Sequence, residues 1–363
     1  MYLFDRIRDE YEQIVVCHDP AVGLRAVIAI HSTVLGPALG GTRFYPYRSE
    51  DQAMEDVLRL ARGMTYKSAV AGLDLGGGKA VILGDPAVDK SEALLRSYGR
   101  FIDSLSGRYI TAEDVGTTEA DMDVIFTQTP NVSGIASARG GSGDPSAATA
   151  YGLWWAMKAL RQTLDTTDDL AGCRVVVCGV GKVGSHLVGL LVDEGVKVTV
   201  ADVDDSAVAR MVAEHGVAAV PVDESHLVEC DILSPCALGG TLNETTIPEL
   251  NCRGVAGSAN NQLATADDGC RLVDRGIVYA PDFVVNSGGV INIAEELAGY
   301  DQERAYAKVS GIYATTRWVL NASEERGVPT NEVAEAMAEE RLAGARLGSP
   351  GVRTFDGTAR RRP

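Results

Sequence analysis

A chain of 363 residues, 45% hydrophobic and 23% charged, has ordinary globular composition and length enough for two domains with separate cores. Its formal net charge of −17 gives a surface that repels phosphate backbones and anionic headgroups, which excludes nucleic acid and membranes as expected partners. No run reaches the roughly 18 uninterrupted apolar residues of a spanning helix, and the opening MYLFDRIRDEYEQ has no apolar signal core, so a cytoplasmic protein is expected. Seven cysteines, odd in number and without a CxxC pair, read as reduced, mostly buried thiols rather than disulfides or metal ligands.

The runs EQIVVCHD and LRAVIAIHS read as strands, and GPALGGTR (36–43) as a glycine-rich turn. A helix is expected around 50–63, where Met54, Val57, Leu58, Ala61 and Met64 recur at helical spacing. A second, KSEALLRSYGRFIDSLSG, places Leu94, Leu95, Tyr98, Phe101, Ile102 and Leu105 on one face, and the short runs AVIL and RYIT read as strands. This alternation makes the first half α/β. Within it, MTYKSAVAGLDLGGGKAVI (64–82) holds Lys67 and Lys79 in an otherwise small and apolar run, the second lysine following a glycine triplet that reads as a flexible turn. A lysine taken out of water needs a partner or a depressed pKa. Asp114, in TAEDVGTT, is a third ionisable residue at the edge of an apolar run. Each taken singly fits a solvated face or a turn cap as well as a site.

The Gly-, Ser- and Pro-dense SARGGSGDPSAAT (137–149) marks a domain hinge, followed at once by the helix AYGLWWAMKALRQTL. The first domain is therefore expected over 1–143 and the second over 144–325. A C-terminal helix returning to the first domain and a disordered tail, GTARRRP, are expected over 326–363.

From Arg174 the runs RVVVC, KVTVAD, AAVPV, CDILS, GVAGS and IVYAP, separated by helical segments, describe a parallel sheet covered on both faces. Gly179, Gly181 and Gly184 form GxGxxG between the first of these strands and a helix, in the run Gly179, Val180, Gly181, Lys182, Val183, Gly184, and Asp202 closes the next strand. Strand, glycines, helix, second strand and terminal acid fall in the register of a dinucleotide site. One glycine serves the tight turn, one the approach of the pyrophosphate and one close helix packing, while the free N–H groups of the helix N-terminus bind the anion. Asp202 would accept from the adenosine ribose and repel a ribose phosphate, favouring NAD over NADP.

Taken in order, GPALGGTR, MTYKSAVAGLDLGGGKAVI, TAEDVGTT, GGSGDPS, GVGKVG, SPCALGG, GSANNQ and YAPDFVVNSGGVINIAEEL resemble the amino acid dehydrogenases, the family of leucine, valine, phenylalanine and glutamate dehydrogenases, over roughly residues 12–345. The likeness is strongest to the branched-chain members, in particular actinobacterial valine dehydrogenases. It implies an N-terminal α/β substrate domain, a doubly wound Rossmann domain and an active-site cleft between them. It further implies a homo-oligomer that takes a small amino acid substrate and deaminates it oxidatively and reversibly to the 2-oxo acid. By the same resemblance Lys67 binds the substrate carboxylate, Lys79 is the catalytic lysine and Asp114 exchanges protons with the amine. Asn261 lies near nicotinamide and substrate, Thr149, Cys236 and Ala237 meet the cofactor, and Gly40 and Met64 border the substrate. Glu113 and Ser287 are minor departures that touch no charge transfer. A free lysine, with pKa about 10.4, is a poor base near neutral pH. Burial beside the like-charged Lys67 would let Lys79 lose its proton and act as general base. The family's pocket positions fall on Leu39, Ala112, Val290 and Ile293. All are uncharged, which disfavours a glutamate substrate, and Leu39 and Val290 leave little room for an aromatic one. Phenylalanine or glutamate dehydrogenase is the alternative within the class, and a non-catalytic NAD-binding regulatory protein the alternative outside it.

Overall fold

The structure, a computed structural model, describes residues 11–348; the tail GTARRRP lies outside them. Contacts divide the chain into two units. Among the described residues the first holds 11–144, Asn292–Gln302 and 338–348, and the second Pro145–Ile291 and Glu303–Met337.

In the first unit the strands are β1 (Gln13–Asp19), β2 (Leu24–Ser32), β3 (Ala38–Tyr45), β4 (Gly76–Leu83) and β5 (Tyr109–Glu113). They form one sheet in the order β1-β2-β4-β3-β5. The first two pairings are antiparallel, and β3 runs parallel to both β4 and β5. Helix α1 (Glu50–Val70) starts at Ser49, whose side chain accepts from the Gln52 amide, and α2 (Glu92–Ser104) starts likewise at Ser91. A capping box between Thr118 and Asp121 opens α3 (Glu119–Phe126). One sheet face packs Ala29 and Val81 against Ala53, Val57 and Ala61 of α1. The opposite face packs Ile28, Ala80 and Ile82 against Tyr98, Ile102, Met122 and Ile125.

Two expectations are corrected here. GPALGGTR is not a turn but the start of β3, and the glycine triplet is not a flexible turn but the first half of β4, in the middle of the sheet. Their glycines serve close approach. A Cβ at Gly76 would sit 1.9 Å from the Ser32 carbonyl oxygen, one at Gly77 2.0 Å from the Thr65 nitrogen, and one at Gly40 1.8 Å from the Gly78 oxygen. Helix α1 also runs beyond the expected end, carrying Met64 and Lys67.

The second unit opens with α4 (Ser146–Asp165) and continues β6 (Arg174–Cys178), α5 (Lys182–Asp193), β7 (Lys197–Ala201), α6 (Asp205–His215), β8 (Ala218–Ala219), β9 (Cys230–Pro235), β10 (Cys252–Val255), α7 (Asp267–Asp274) and β11 (Val278–Tyr279). The order β11-β10-β9-β6-β7-β8, parallel throughout, is the doubly wound Rossmann arrangement. The run AAVPV contributes only two strand residues, both exposed at the sheet edge. The helices α8 (Asp282–Val285), α9 (Gly288–Ala294), α10 (Gln302–Ser310), α11 (Ile312–Arg326) and α12 (Thr330–Gly348) complete the described residues.

Residues 292–302, which the sequence reading placed in the second domain, group with the first unit. The physical reason is Glu296. Buried, its carboxylate accepts from the Gly134 and Ser142 amides at 2.9 and 2.7 Å, while Ser133 Oγ donates to the Ile293 carbonyl at 3.0 Å. The end of α12 groups there too: Arg341 donates to the Ala69 carbonyl at 2.7 Å and Tyr66 donates to Glu339.

Candidate active site and nucleotide site

Strand parity gathers three charged residues of the first unit on one face. Arg43 on β3, Lys79 on β4 and Asp114 just beyond β5 all face the α1 side, as do Leu39 and Ala112 by their even spacing from Arg43 and Asp114. Lys79 Nζ donates to Asp114 Oδ2, and Arg43 Nε donates to Asp114 Oδ1 at 3.0 Å. Lys79 is 5% exposed, so its ammonium is met by protein rather than by water. Burial alone would push the Asp114 carboxyl up; the Lys79 and Arg43 charges outweigh it and hold the group down at about 2.

Glycines clear the space for this meeting. Gly41 lies on β3 between the strand of Lys79 and that of Asp114, and a Cβ there would come 3.0 Å from Asp114 Cβ and 2.4 Å from the Glu113 oxygen. The loop after β5 is fixed in its turn. Gly116 has φ +81°, and a Cβ on it would stand 1.9 Å from the Phe44 oxygen. Thr117 Oγ1 donates to the Thr42 carbonyl and the Phe44 amide to the Val115 carbonyl, both at 2.9 Å. The loop that carries Asp114 is thereby tied to β3 through residues 115–117.

The other predicted substrate residues of this unit lie close by in the fold. Lys67, half-buried, sits in the last turn of α1, where the helix dipole favours a cation. That end of the helix is pinned by the Thr65 hydroxyl, 2.9 Å from His31 Nδ1. Burial, with the Arg62 and Arg346 charges, lowers the His31 imidazole to about 4, so it stays neutral there. Met64 packs over Gly40, its Cγ 3.3 Å from where a Cβ would be. Leu39, Ala112 and Ile293 are buried in this unit; Val290, on the same short helix α9 as Ile293, is buried and groups with the second unit.

In the second unit the three glycines divide the labour expected of them. Gly179 has φ +107°, and a Cβ would strike Ala237 at 2.7 Å; Gly184 would strike the Gly179 oxygen at 2.0 Å. At Gly181, the N-cap of α5, a Cβ would meet nothing within 4 Å, and no side chain caps the helix. The open space at the N-terminus of α5, where the helix dipole favours an anion, fits a pyrophosphate. Asp202, half-buried, accepts from the Val180 amide at 2.7 Å and the Asp204 amide at 3.0 Å. Beside it a cavity of about 580 Å³, lined by Gly179, Val203, Pro235, Ala237 and Leu238, suits an adenosine. Cys236, between the lining residues Pro235 and Ala237, donates its amide to the Cys178 carbonyl at 2.7 Å. Asn261, exposed at φ +54°, is held by the Gly240 amide donating to its carbonyl at 2.7 Å. Thr149 lies in the first turn of α4, its hydroxyl donating to the Pro145 carbonyl at 3.0 Å, and close enough to Gly289 that a Cβ there would be 2.6 Å from Oγ1.

The sequence reading assigned no role to Arg43 or Asp56. The available signal was parity: a cation flanked by Thr42 and Phe44, both fully buried, must itself face something other than bulk water. Among the described residues no group of three or more His, Cys, Asp or Glu side chains could hold a metal, and no helix is long and apolar enough to cross a membrane.

Comparison with known proteins matches this arrangement. Residues 11–131 match the family described as Glu/Leu/Phe/Val dehydrogenase, dimerisation domain, and residues 140–210 and 200–347 match Glutamate/Leucine/Phenylalanine/Valine dehydrogenase. The chain is 54% identical to a leucine dehydrogenase of Geobacillus stearothermophilus, covering 92% of this chain and 91% of that one. It is 51% identical to a valine dehydrogenase of Streptomyces coelicolor, covering 95% of each. Among solved structures, L-tryptophan dehydrogenase from Nostoc punctiforme is similar with TM-score 0.82 and 40% identity, over 95% of this chain and 100% of that one. With both halves matched in order and half of all positions shared with such relatives, the chain belongs to the Glu/Leu/Phe/Val dehydrogenase family of α/β, Rossmann-type amino acid dehydrogenases.

Proposed function

We propose that the protein catalyses the reversible, NAD-dependent oxidative deamination of a branched-chain L-amino acid, with valine favoured over leucine and isoleucine. The observation that carries this reading is the buried Lys79 paired with the half-buried Asp114, on strands whose glycines let the two side chains meet. NAD, when bound, supplies the hydride acceptor. Lys67 holds the substrate carboxylate by its charge. Lys79 takes a proton from the water that adds to the imine carbon, and Asp114 carries protons to and from the substrate nitrogen. Lys79 and Asp114 share a hydrogen bond, so a proton can pass between them without crossing bulk solvent. By the family resemblance Leu39, Gly40, Met64, Ala112, Val290 and Ile293 take the substrate side chain, and the apolar character of all six disfavours a second carboxylate. Gly179 to Gly184, Thr149, Cys236, Ala237 and Asn261 hold the dinucleotide, and the Asp202 carboxylate selects NAD over NADP.

Valine and leucine differ by about one methylene, worth roughly 1–3 kcal/mol, and relatives of both names are similar to this chain to nearly the same degree. We assign valine on the overall likeness. A homo-oligomer in the cytoplasm is proposed from the family's dimerisation domain and the acidic surface. The test is NADH formation at alkaline pH across a panel of L-amino acids. Turnover confined to valine, leucine and isoleucine supports the proposal; a preference for glutamate, phenylalanine or tryptophan overturns it.

A further inference from the structure

The network around Asp114 extends beyond Lys79. Arg43 gives Nε to Asp114 and Nη1 to Asp56 Oδ2 at 2.9 Å, and the Tyr47 hydroxyl donates to the same Asp56 oxygen at 2.7 Å. Arg59 donates to the other oxygen of Asp56 at 3.2 Å. Behind this chain opens a cavity of about 570 Å³ whose lining includes Arg43, Asp56 and Val115. The Arg43 and Asp56 side chains are 22% and 12% exposed, so their fields reach Asp114 with little screening.

The geometry points to Arg43 as a positioning residue of the proton relay, holding Asp114 ionised and turned toward Lys79 while the lysine passes between ammonium and amine. The inference rests on the dehydrogenase reading above. Of the two cations on Asp114, one must come and go with the reaction. The other cannot, because a guanidinium does not deprotonate in a protein. When Lys79 is neutral, burial alone would drive a proton onto Asp114, and Arg43 is the charge that opposes it. The fork also matters: one edge faces Asp114 and the adjoining nitrogen faces Asp56, so Asp56 and Tyr47 set the angle at which the guanidinium meets the carboxylate. A lysine, with a single point charge, cannot span both.

Besides Asp56 and Tyr47, ionisable groups on the elements packed around the pair include Tyr45 on β3, Glu113 and Tyr109 on β5, and Glu55, Arg59 and Lys67 on α1. They are unaltered in the variants below, as is the titration of the free amino acid, so both drop out of the comparison. The experiment is the pH profile of kcat/KM for valine oxidation. Removing the cation in Arg43→Gln lets the Lys79–Asp114 pair keep its protons to higher pH, so the rising limb should move up by about one pH unit. Arg43→Lys keeps the charge and loses the fork, so the limb should stay near wild type while kcat falls about tenfold. The paired variant Arg43→Gln with Asp56→Asn leaves no carboxylate stranded without its arginine, and it should show a smaller upward shift, since the more distant Asp56 anion goes with the cation, if Arg43→Gln alone does not fold. A purely structural ion pair would lower the melting temperature and leave the limb in place. An active wild type with an unmoved limb in the glutamine variants, or failure of both to fold, overturns the inference alone. A wild type inactive on every amino acid overturns the dehydrogenase reading and this inference with it.

Discussion

The Val180 amide donates to the Asp202 carboxylate at 2.7 Å, so the acid at the end of β7 braces the glycine loop as well as facing the adenosine cavity. Each carboxylate oxygen accepts one backbone amide and retains a second lone pair for a ribose hydroxyl. Wild-type protein should reduce NAD far better than NADP. Asp202→Ser should narrow that gap from both sides, by admitting the phosphate and by loosening the loop that binds NAD. The ratio of kcat/KM for the two cofactors measures it. Equal use by wild type would leave Asp202 as a loop brace only.

Lys79→Ala should lower kcat by at least about 10²-fold, the contribution of proton transfer, while NAD affinity, set by the second unit, stays within about twofold. Lys67→Ala should act mainly on the Michaelis constant of the amino acid. Steady-state kinetics with a parallel NAD titration separates the two, and near-normal turnover in Lys79→Ala would falsify the assigned roles.

Leu39 is fully buried on the Lys79 face of the sheet. Its replacement by alanine should cost affinity for valine through lost apolar contact and gain activity on phenylalanine through the space released. An unchanged valine to phenylalanine ratio of kcat/KM would remove Leu39 from the pocket.

Two glycines should respond to alanine in opposite ways. At Gly77 the new methyl would overlap the Thr65 backbone, so urea unfolding should show a loss of about 2 kcal/mol or more. At Gly181 it would meet no protein atom, so stability should be nearly kept while the NAD Michaelis constant rises, because the methyl occupies the pyrophosphate's approach. The reverse pattern would mean that Gly181 packs and Gly77 does not.

Asp114 titrates at about 2 in the folded protein, below its ordinary 3.8. A depressed carboxyl stabilises the fold fully above the unfolded value and loses that contribution as pH falls from about 4 through about 2. The urea midpoint should therefore decline over that window. In Asp114→Asn it should start lower at neutral pH, with Lys79 and Arg43 left unpaired, and decline less.

What could be read beforehand followed from how local each signal is. The Rossmann half was legible because its signals recur in register: continuous apolar strands, GxGxxG at a strand–helix junction, an acid at the next strand end. The glycines of GPALGG and LGGGK misled because glycine is both the commonest turn residue and the residue two backbones need in order to touch. Only the partner segment, Thr65 for Gly77 and Gly78 for Gly40, distinguishes the two, and each comes from elsewhere in the chain. The same non-locality hid the Asp56–Arg43–Asp114 chain. The Lys79–Asp114 contact joins two residues that the sequence singles out, but that Arg43 also holds Asp114 has no local signal.

The carboxylate of Glu296 has a consequence for how this chain can be cut. The polypeptide changes units at 144/145, 291/292, 302/303 and 337/338, and the piece between the middle two brings Glu296 to the amides of Gly134 and Ser142. A fragment stopping at Asp144 would contain every residue of the Lys79–Asp114 cluster. It would lack the acceptor for two amides, the Ile293 carbonyl that receives Ser133, and the arginine that satisfies the Ala69 carbonyl at the end of the helix bearing Lys67. The catalytic half is therefore not a heritable module that could be shuffled onto another nucleotide domain as one uninterrupted stretch: recombination at the hinge separates residues that must fold together.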